Sequence, residues 1–176
     1  VAFSQPAMAD PVQIVSPDGP LPSIVTSGRK SDQNAAADLC NYLSRITGRT
    51  IAPSTAESAS GVVIHVGLDA FAKEHAPEVD KLFADGYIIK CVTERGQLHI
   101  ILAGKQAVSA TWAVEQFLRD IGGVRFLFPD AKYGEVVPSR PVLTIESDFN
   151  RSFEPHYVSR YATTKSGHAY YTPSKE

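Results

Sequence analysis

The chain has 176 residues, 43% of them hydrophobic and 20% charged, with a formal net charge of -2. Those values suit one globular domain with a tail or linker. They offer no electrostatic footprint for nucleic acid or an anionic membrane surface, and no apolar run approaches the ~20 residues that span a bilayer.

Residues 1–9 end in Ala7-Met8-Ala9, the small-x-small pattern of a signal-peptidase site, followed by Asp10-Pro11. We read them as the remnant of a secretory signal, against the alternative of an ordinary Ala/Pro-rich disordered start. A secreted or periplasmic location is therefore expected. Short strands are predicted over 13–15 and 23–26, separated by the turn cluster Ser16-Pro17-Asp18-Gly19-Pro20. An amphipathic helix follows, with Ser31 or Asp32 as N-cap. Its buried stripe is Ala36, Leu39, Cys40, Leu43 and Ile46, and Gly48 is its stop. Residues 50–52 read as a short strand and 53–61 as a loop. The run VVIHV over 62–66, bounded by Gly61 and Gly67, reads as a central strand. Pro77 divides the next segment, 68–84, into short helical pieces around Phe71, Val79, Leu82 and Phe83.

The stretch 85–129 organises the rest. Tyr87, Ile89 and Cys91 alternate with Ile88, Lys90 and Val92, the period of a strand. A turn at Arg95-Gly96 returns a second apolar strand over 98–103. The period then becomes helical: Ala107, Ala110, Val114, Phe117, Leu118 and Ile121 share one stripe, with Val108 and Trp112 on its flank. Gly122-Gly123 stops this helix, and a strand over 124–128 ends at Pro129. Further strands are predicted at 134–137 and 142–146, after which the apolar pattern fades into a Tyr- and Ser-rich tail. The order implies an α/β (α+β) fold, a mixed β-sheet with two main helices packed on one face.

A search for chemistry finds little. Glu74, Glu78 and Asp80 cluster, but read most simply as a solvated face, and Asp130 as a turn aspartate. His65 and His99 lie inside predicted strands, where a hydrogen-bonded structural histidine is the simplest reading. His75 stands near Glu74 and Glu78 without a third metal ligand. No HExxH, GxSxG or strand–GxGxxG–helix pattern is present. Cys40 and Cys91 fall on apolar faces, which favours two buried thiols over a disulfide. No catalytic residue, metal site or cofactor is expected.

Several phrases, taken together and in order, resemble a known family. They are Ala35-Ala36-Ala37-Asp38-Leu39, Tyr42-Leu43-Ser44-Arg45-Ile46-Thr47-Gly48, Val63-Ile64-His65-Val66-Gly67 and Asp85-Gly86-Tyr87. They continue with Leu98-His99-Ile100, Ala103-Gly104, Thr111-Trp112-Ala113-Val114, Phe117-Leu118, Gly122-Gly123-Val124-Arg125-Phe126 and Gly134-Glu135-Val136-Val137-Pro138. The series resembles the N-terminal α/β domain that precedes the catalytic barrel in β-N-acetylhexosaminidases, α-glucuronidases and related secreted bacterial proteins. The resemblance implies a hexosaminidase domain-2-like fold with no catalysis of its own. After the signal remnant read over 1–9, it implies a support domain over 10–148, then a linker and the start of a truncated (β/α)8 barrel over 149–176. That barrel, in the same polypeptide, would be the partner and would hold the carbohydrate substrate. The segment Pro155-His156-Tyr157-Val158-Ser159-Arg160 is similar in spacing to the one that opens the family's barrel, so the resemblance makes Arg160 a substrate-binding residue. The match departs at Ser159, where an aromatic is usual, and at Tyr161, where a glycine is usual. Two other readings stand beside it. Tyr157, Tyr161, Tyr170 and Tyr171 would suit a self-contained carbohydrate-binding or interaction module. Glu74, His75 and Glu78 would be the residues of a free-standing enzyme.

Overall fold

The computed structural model describes residues 10–54, 56–58, 60–106, 108–129, 133–155, 160–164 and 167–171, the last two stretches as strand backbone. The expected signal remnant, Ala107, Asp130, His156, Tyr157 and the side chains of Arg160, Tyr161, Tyr170 and Tyr171 lie outside that description.

A five-stranded mixed sheet is the frame. Its strands are β2 (Ser23–Thr26), β3 (Val63–Val66), β4 (Tyr87–Glu94), β5 (Gln97–Gly104) and β9 (Asn150–Phe153), in the order β2-β3-β5-β4-β9. The first three in that order run parallel, while β4 is antiparallel to both β5 and β9. The β4–β5 hairpin turns on two residues, because Glu94 pairs with Gln97. Arg95 and Gly96 both take positive φ, 50° and 81°, the backbone that matches the twist of a two-residue hairpin. Strand β9 extends the sheet past residue 148, where the apolar pattern had faded. All four of its residues are exposed, so the pairing to β4 is made by backbone groups that no hydrophobic period announces.

Two helices, α1 (Lys30–Thr47) and α3 (Ser109–Phe117), cover one face of the sheet and pack against each other. Leu39, Leu43 and Ile46 of α1 and Ala110, Ala113, Val114 and Phe117 of α3 meet Ile64, Ile89, Ile100 and Leu102 there. These are the positions that the helical and strand periods select. α1 stops at Gly48, left-handed at φ 73°. α3 runs on as one π turn, Leu118–Gly122, before the left-handed Gly123. On the opposite face, α2 (Ala70–His75) and a 3-10 turn (Pro77–Lys81) are the two short helical pieces that Pro77 separates.

Several local expectations change. α1 begins at Lys30 with Arg29 in the capping position and no side-chain cap, so neither Ser31 nor Asp32 is the N-cap. Asp32 lies in the first turn, fully buried. It accepts from Nε and Nη2 of Arg29 at 2.8 and 3.2 Å, from the Ser31 hydroxyl at 3.3 Å, and from the Ser27 hydroxyl. A two-pronged guanidinium bond is stronger than a bond to one neutral amide, which explains the exchange. Gly67, at the end of β3, makes room for it: a Cβ there would stand 2.0 Å from Asp32 Oδ2.

Residues 50–52 form no strand. Ile51 is buried, and its N–H donates to Ser44 Oγ at 2.9 Å instead of to a neighbouring strand. The strand predicted over 124–128 shrinks to β6 (Arg125–Phe126), paired with β7 (Glu135–Val136). Beyond it the amides of Leu127 and Phe128 both reach the carbonyl of Gly134, at 2.7 and 3.3 Å, so the ladder cannot continue. β8 (Leu143–Glu146) pairs with β1 (Pro11–Val15) in a separate ribbon, and Ile14, Val15, Leu143 and Ile145 add to the core. A hairpin of β10 (Arg160–Thr164) and β11 (Gly167–Tyr171) completes the described strands, with Arg160 opposite Tyr171.

Candidate functional site

The sheet face beneath α2 carries an unusual buried polar group. Alternation sends Ile64 and Val66 of β3 toward the large helices, so His65 points the other way; on β5 the same rule turns His99, Ile101 and Ala103 to that side. β3 and β5 are adjacent and parallel, with Val63 opposite His99 and His65 opposite Ile101, so the two imidazoles lie diagonally on one surface. His65 Nε2 stands 3.0 Å from His99 Nδ1, and His65 Nδ1 stands 2.7 Å from Asp69 Oδ2. Asp69 also caps α2, its Oδ1 accepting from the Ala72 amide at 2.8 Å. One carboxylate thus ties the helix start to the sheet. Phe71 lies flat on both rings, at 4.5 Å from His65 and 4.2 Å from His99, and meets His75 on its own helix at 4.2 Å.

The electrostatics follow from that chain of contacts. Burial pushes the Asp69 carboxyl up, but the bonds from His65 and the Ala72 amide and the charge on the two rings outweigh it, leaving its pKa below the ordinary value. Burial, and then the neighbouring His65, hold the His99 pKa below its ordinary value against the pull of Glu57 and Glu94. An ionised Asp69 requires a proton on His65 Nδ1, which fixes that ring's orientation. The group can hold and share a proton. The thiols lie elsewhere: Cys40 and Cys91 are buried on the helix-covered face, and burial pushes them up to about 11 and about 12, so both stay protonated and inert.

Glu74, His75 and Glu78 are not brought into one site. Glu74 and Asp80 are exposed. Glu78 accepts from Lys90 Nζ at 2.7 Å, and the same ammonium donates to the His75 carbonyl at 2.7 Å. Among the described residues, no group of three or more His, Cys, Asp or Glu side chains is arranged to hold a metal.

A second concave region, an open cavity of about 530 Å³, is lined by Glu115, Phe126, Leu127, Phe128, Pro129, Gly134 and Glu135. At its edge Glu135 accepts from the Tyr42 hydroxyl and, at 2.6 Å, pairs with Arg45. Burial, then the Glu135 carboxylate, pushes the Tyr42 phenol up to about 12. The Tyr42 bond, then Arg45, holds Glu135 below the usual carboxylate range. Glu115 is shifted the other way by burial. Tyr42 and Arg45 sit three apart on one shoulder of α1, a spacing visible in the sequence. That residue 135 meets them there is decided by the β6–β7 ribbon. Arg160 opens β10, and its backbone pairing is the only placement described for it.

No protein-family model matches the chain, and no curated protein matches it.

Proposed function

We propose that the chain is the non-catalytic N-terminal support domain of a secreted glycoside hydrolase acting on polysaccharide or glycan. Its partner is a (β/α)8 barrel in the same polypeptide, which holds the substrate, with Arg160 contributing a sugar contact. The family resemblance of the ordered phrases supports this reading.

The observation that carries the reading is the β6–β7 ribbon. Leu127, Phe128, Tyr133 and Val136 are 58, 56, 62 and 53% exposed on one short piece of chain. Large apolar groups clustered on a surface mark a contact with another body. No helix among the described residues is long and apolar enough to cross a membrane. The experiment is to read the source frame beyond residue 176 and assay both lengths on chromogenic glycosides. A downstream alternation of strand and helix with an Asp/Glu pair, and activity only in the longer chain, is expected. A stop codon directly after Glu176, or hydrolysis by these residues alone, would overturn the proposal.

The open cavity favours a second reading, a self-contained carbohydrate-binding module, because Phe128 offers an exposed ring beside Glu115 and Glu135. Calorimetric titration against an oligosaccharide panel separates the two. Heat that disappears in F128A supports the module; no heat across the panel removes it.

A further inference from the structure

The layer formed by α2 and the 3-10 turn is fastened to the sheet by a small apolar cluster and by a polar chain. Its apolar cluster comprises six buried residues, Ala72, Ala76, Val79, Ile88, Ile101 and Ala103, of which only Ala72, Ala76 and Val79 come from the helical layer. Leu68, Phe71, Leu82 and Val92 pack against it partly buried, and the whole cluster is small beside the one under α1 and α3. The polar fastening runs from the Ala72 amide through Asp69 and His65 to His99, and from Lys90 of β4 to Glu78 and the His75 carbonyl.

That chain has a fixed proton capacity. The 3.0 Å gap between His65 Nε2 and His99 Nδ1 has room for one hydrogen, donated by one ring and accepted by the other. The pair can be neutral or carry a single positive charge in this geometry. With both rings cationic, two N–H groups would point at each other across the gap, and two like charges would sit together out of water. We infer that Asp69, His65 and His99 form a single-proton latch, which holds α2 and the 3-10 turn on the sheet until mild acid adds a second proton to the ring pair. Opening then uncovers Ile88, Ile101 and Ala103 while the core under α1 and α3 stays folded.

The groups around the pair set where this happens. Asp69 remains ionised through the range, so it favours the first proton and cannot accommodate the second. From α2, His75 reaches the pair only through Phe71 and adds charge of the same sign when protonated. From the loop before β3 and the end of β4, Glu57 and Glu94 draw a proton toward His99. Glu78 of the 3-10 turn and Lys90 of β4 neutralise each other, and release of the layer separates them as well.

Hydrogen exchange of the unmodified chain, compared at about pH 7.5 and about pH 5 and corrected for intrinsic rate, tests the latch. Amides of residues 70–82 are expected to lose up to about tenfold of their protection per unit of folded-state pKa depression, while 87–104 keep theirs. In H99Q, which keeps a polar partner for His65 but cannot become a second cation, that acid loss is expected to shrink or vanish. Equal protection of residues 70–82 at the two pH values, or the same loss in H99Q, overturns the latch. Imidazole 15N shifts of the unmodified chain give an independent result should H99Q fold poorly. A doubly cationic pair coexisting with protected α2 amides overturns the proposal; its absence until α2 opens supports it.

Discussion

The two faces of the central sheet are closed by different means. Under α1 and α3 the contact is almost wholly apolar: Leu39, Leu43, Phe117 and Leu118 meet Ile64, Ile89, Ile100 and Leu102, and nothing among them titrates near neutral pH. Under α2, two imidazoles and a carboxylate occupy the place of such a contact. The first face draws its stability from area removed from water, which is indifferent to protons. The second depends on one protonation pattern. The molecule therefore combines a face that holds across the pH range with a face that holds only above mild acid.

The largest way to break the comparison is on the apolar face. Phe117→Ala removes a fully buried ring and is expected to cost about 3–5 kcal/mol. Urea unfolding is expected to show a lower midpoint with an unchanged slope, since the whole chain depends on that face. At the end of that face, Gly67→Ala forces a Cβ to within 2.0 Å of Asp32 Oδ2 at a backbone φ of +88°. The expected loss is about 1–3 kcal/mol by overpacking, and Asp32→Ala in the same chain is expected to relieve part of the added Gly67→Ala cost, read by a double-mutant cycle.

On the polar face, Asp69→Ala removes both the α2 cap and the His65 partner, for an expected loss of about 1–2 kcal/mol. Its proteolysis is expected to speed up within residues 68–84 before anywhere else, because the rest of the core is untouched.

The pH profile sharpens the same contrast. His99 titrates below its ordinary 6.5 in the folded chain, so the unfolded chain binds more protons; its contribution is present above that value and fades as pH falls below it toward the folded value. Asp69 titrates below its ordinary 3.8, so wherever α2 stays seated, as expected in H99Q, its contribution is lost only as pH falls below that value. Thermal melts across pH are expected to show an upper decline from His99 and a lower one as Glu135 protonates below its ordinary 4.5, and H99Q is expected to lose most of the upper one. The smallest effect belongs to Tyr42→Phe, which forfeits one hydrogen bond at a half-exposed site and is expected to cost about 1 kcal/mol or less. It is expected to leave the upper decline in place.

Much of the frame was legible because it rests on local periods. Alternation over 87–92, the apolar run over 98–103, the stripe of α1 and the glycine stops are all patterns of neighbouring residues. The candidate sites were not. His65 and His99 were readable as strand histidines with hydrogen-bonded partners, but 34 positions separate them, and only the parallel pairing of β3 with β5 brings their rings together. Glu135 reaches Tyr42 across 93 positions. The capping of α1 misled for a related reason: a Ser or Asp before a helix normally serves its amides, yet here Arg29 and Ser27 hold Asp32 over a glycine from another strand.

The sequence by itself determined where the chain is apolar, with what period, and where glycine and proline interrupt it; those are properties of neighbouring residues along one backbone. Only the tertiary structure decided which strands lie side by side, that β9 joins the sheet without an apolar face, and that an aspartate, two histidines and a phenylalanine share one buried spot. Such meetings depend on strand order and register, which no local pattern carries, because the physical interaction begins only once distant segments are already in contact.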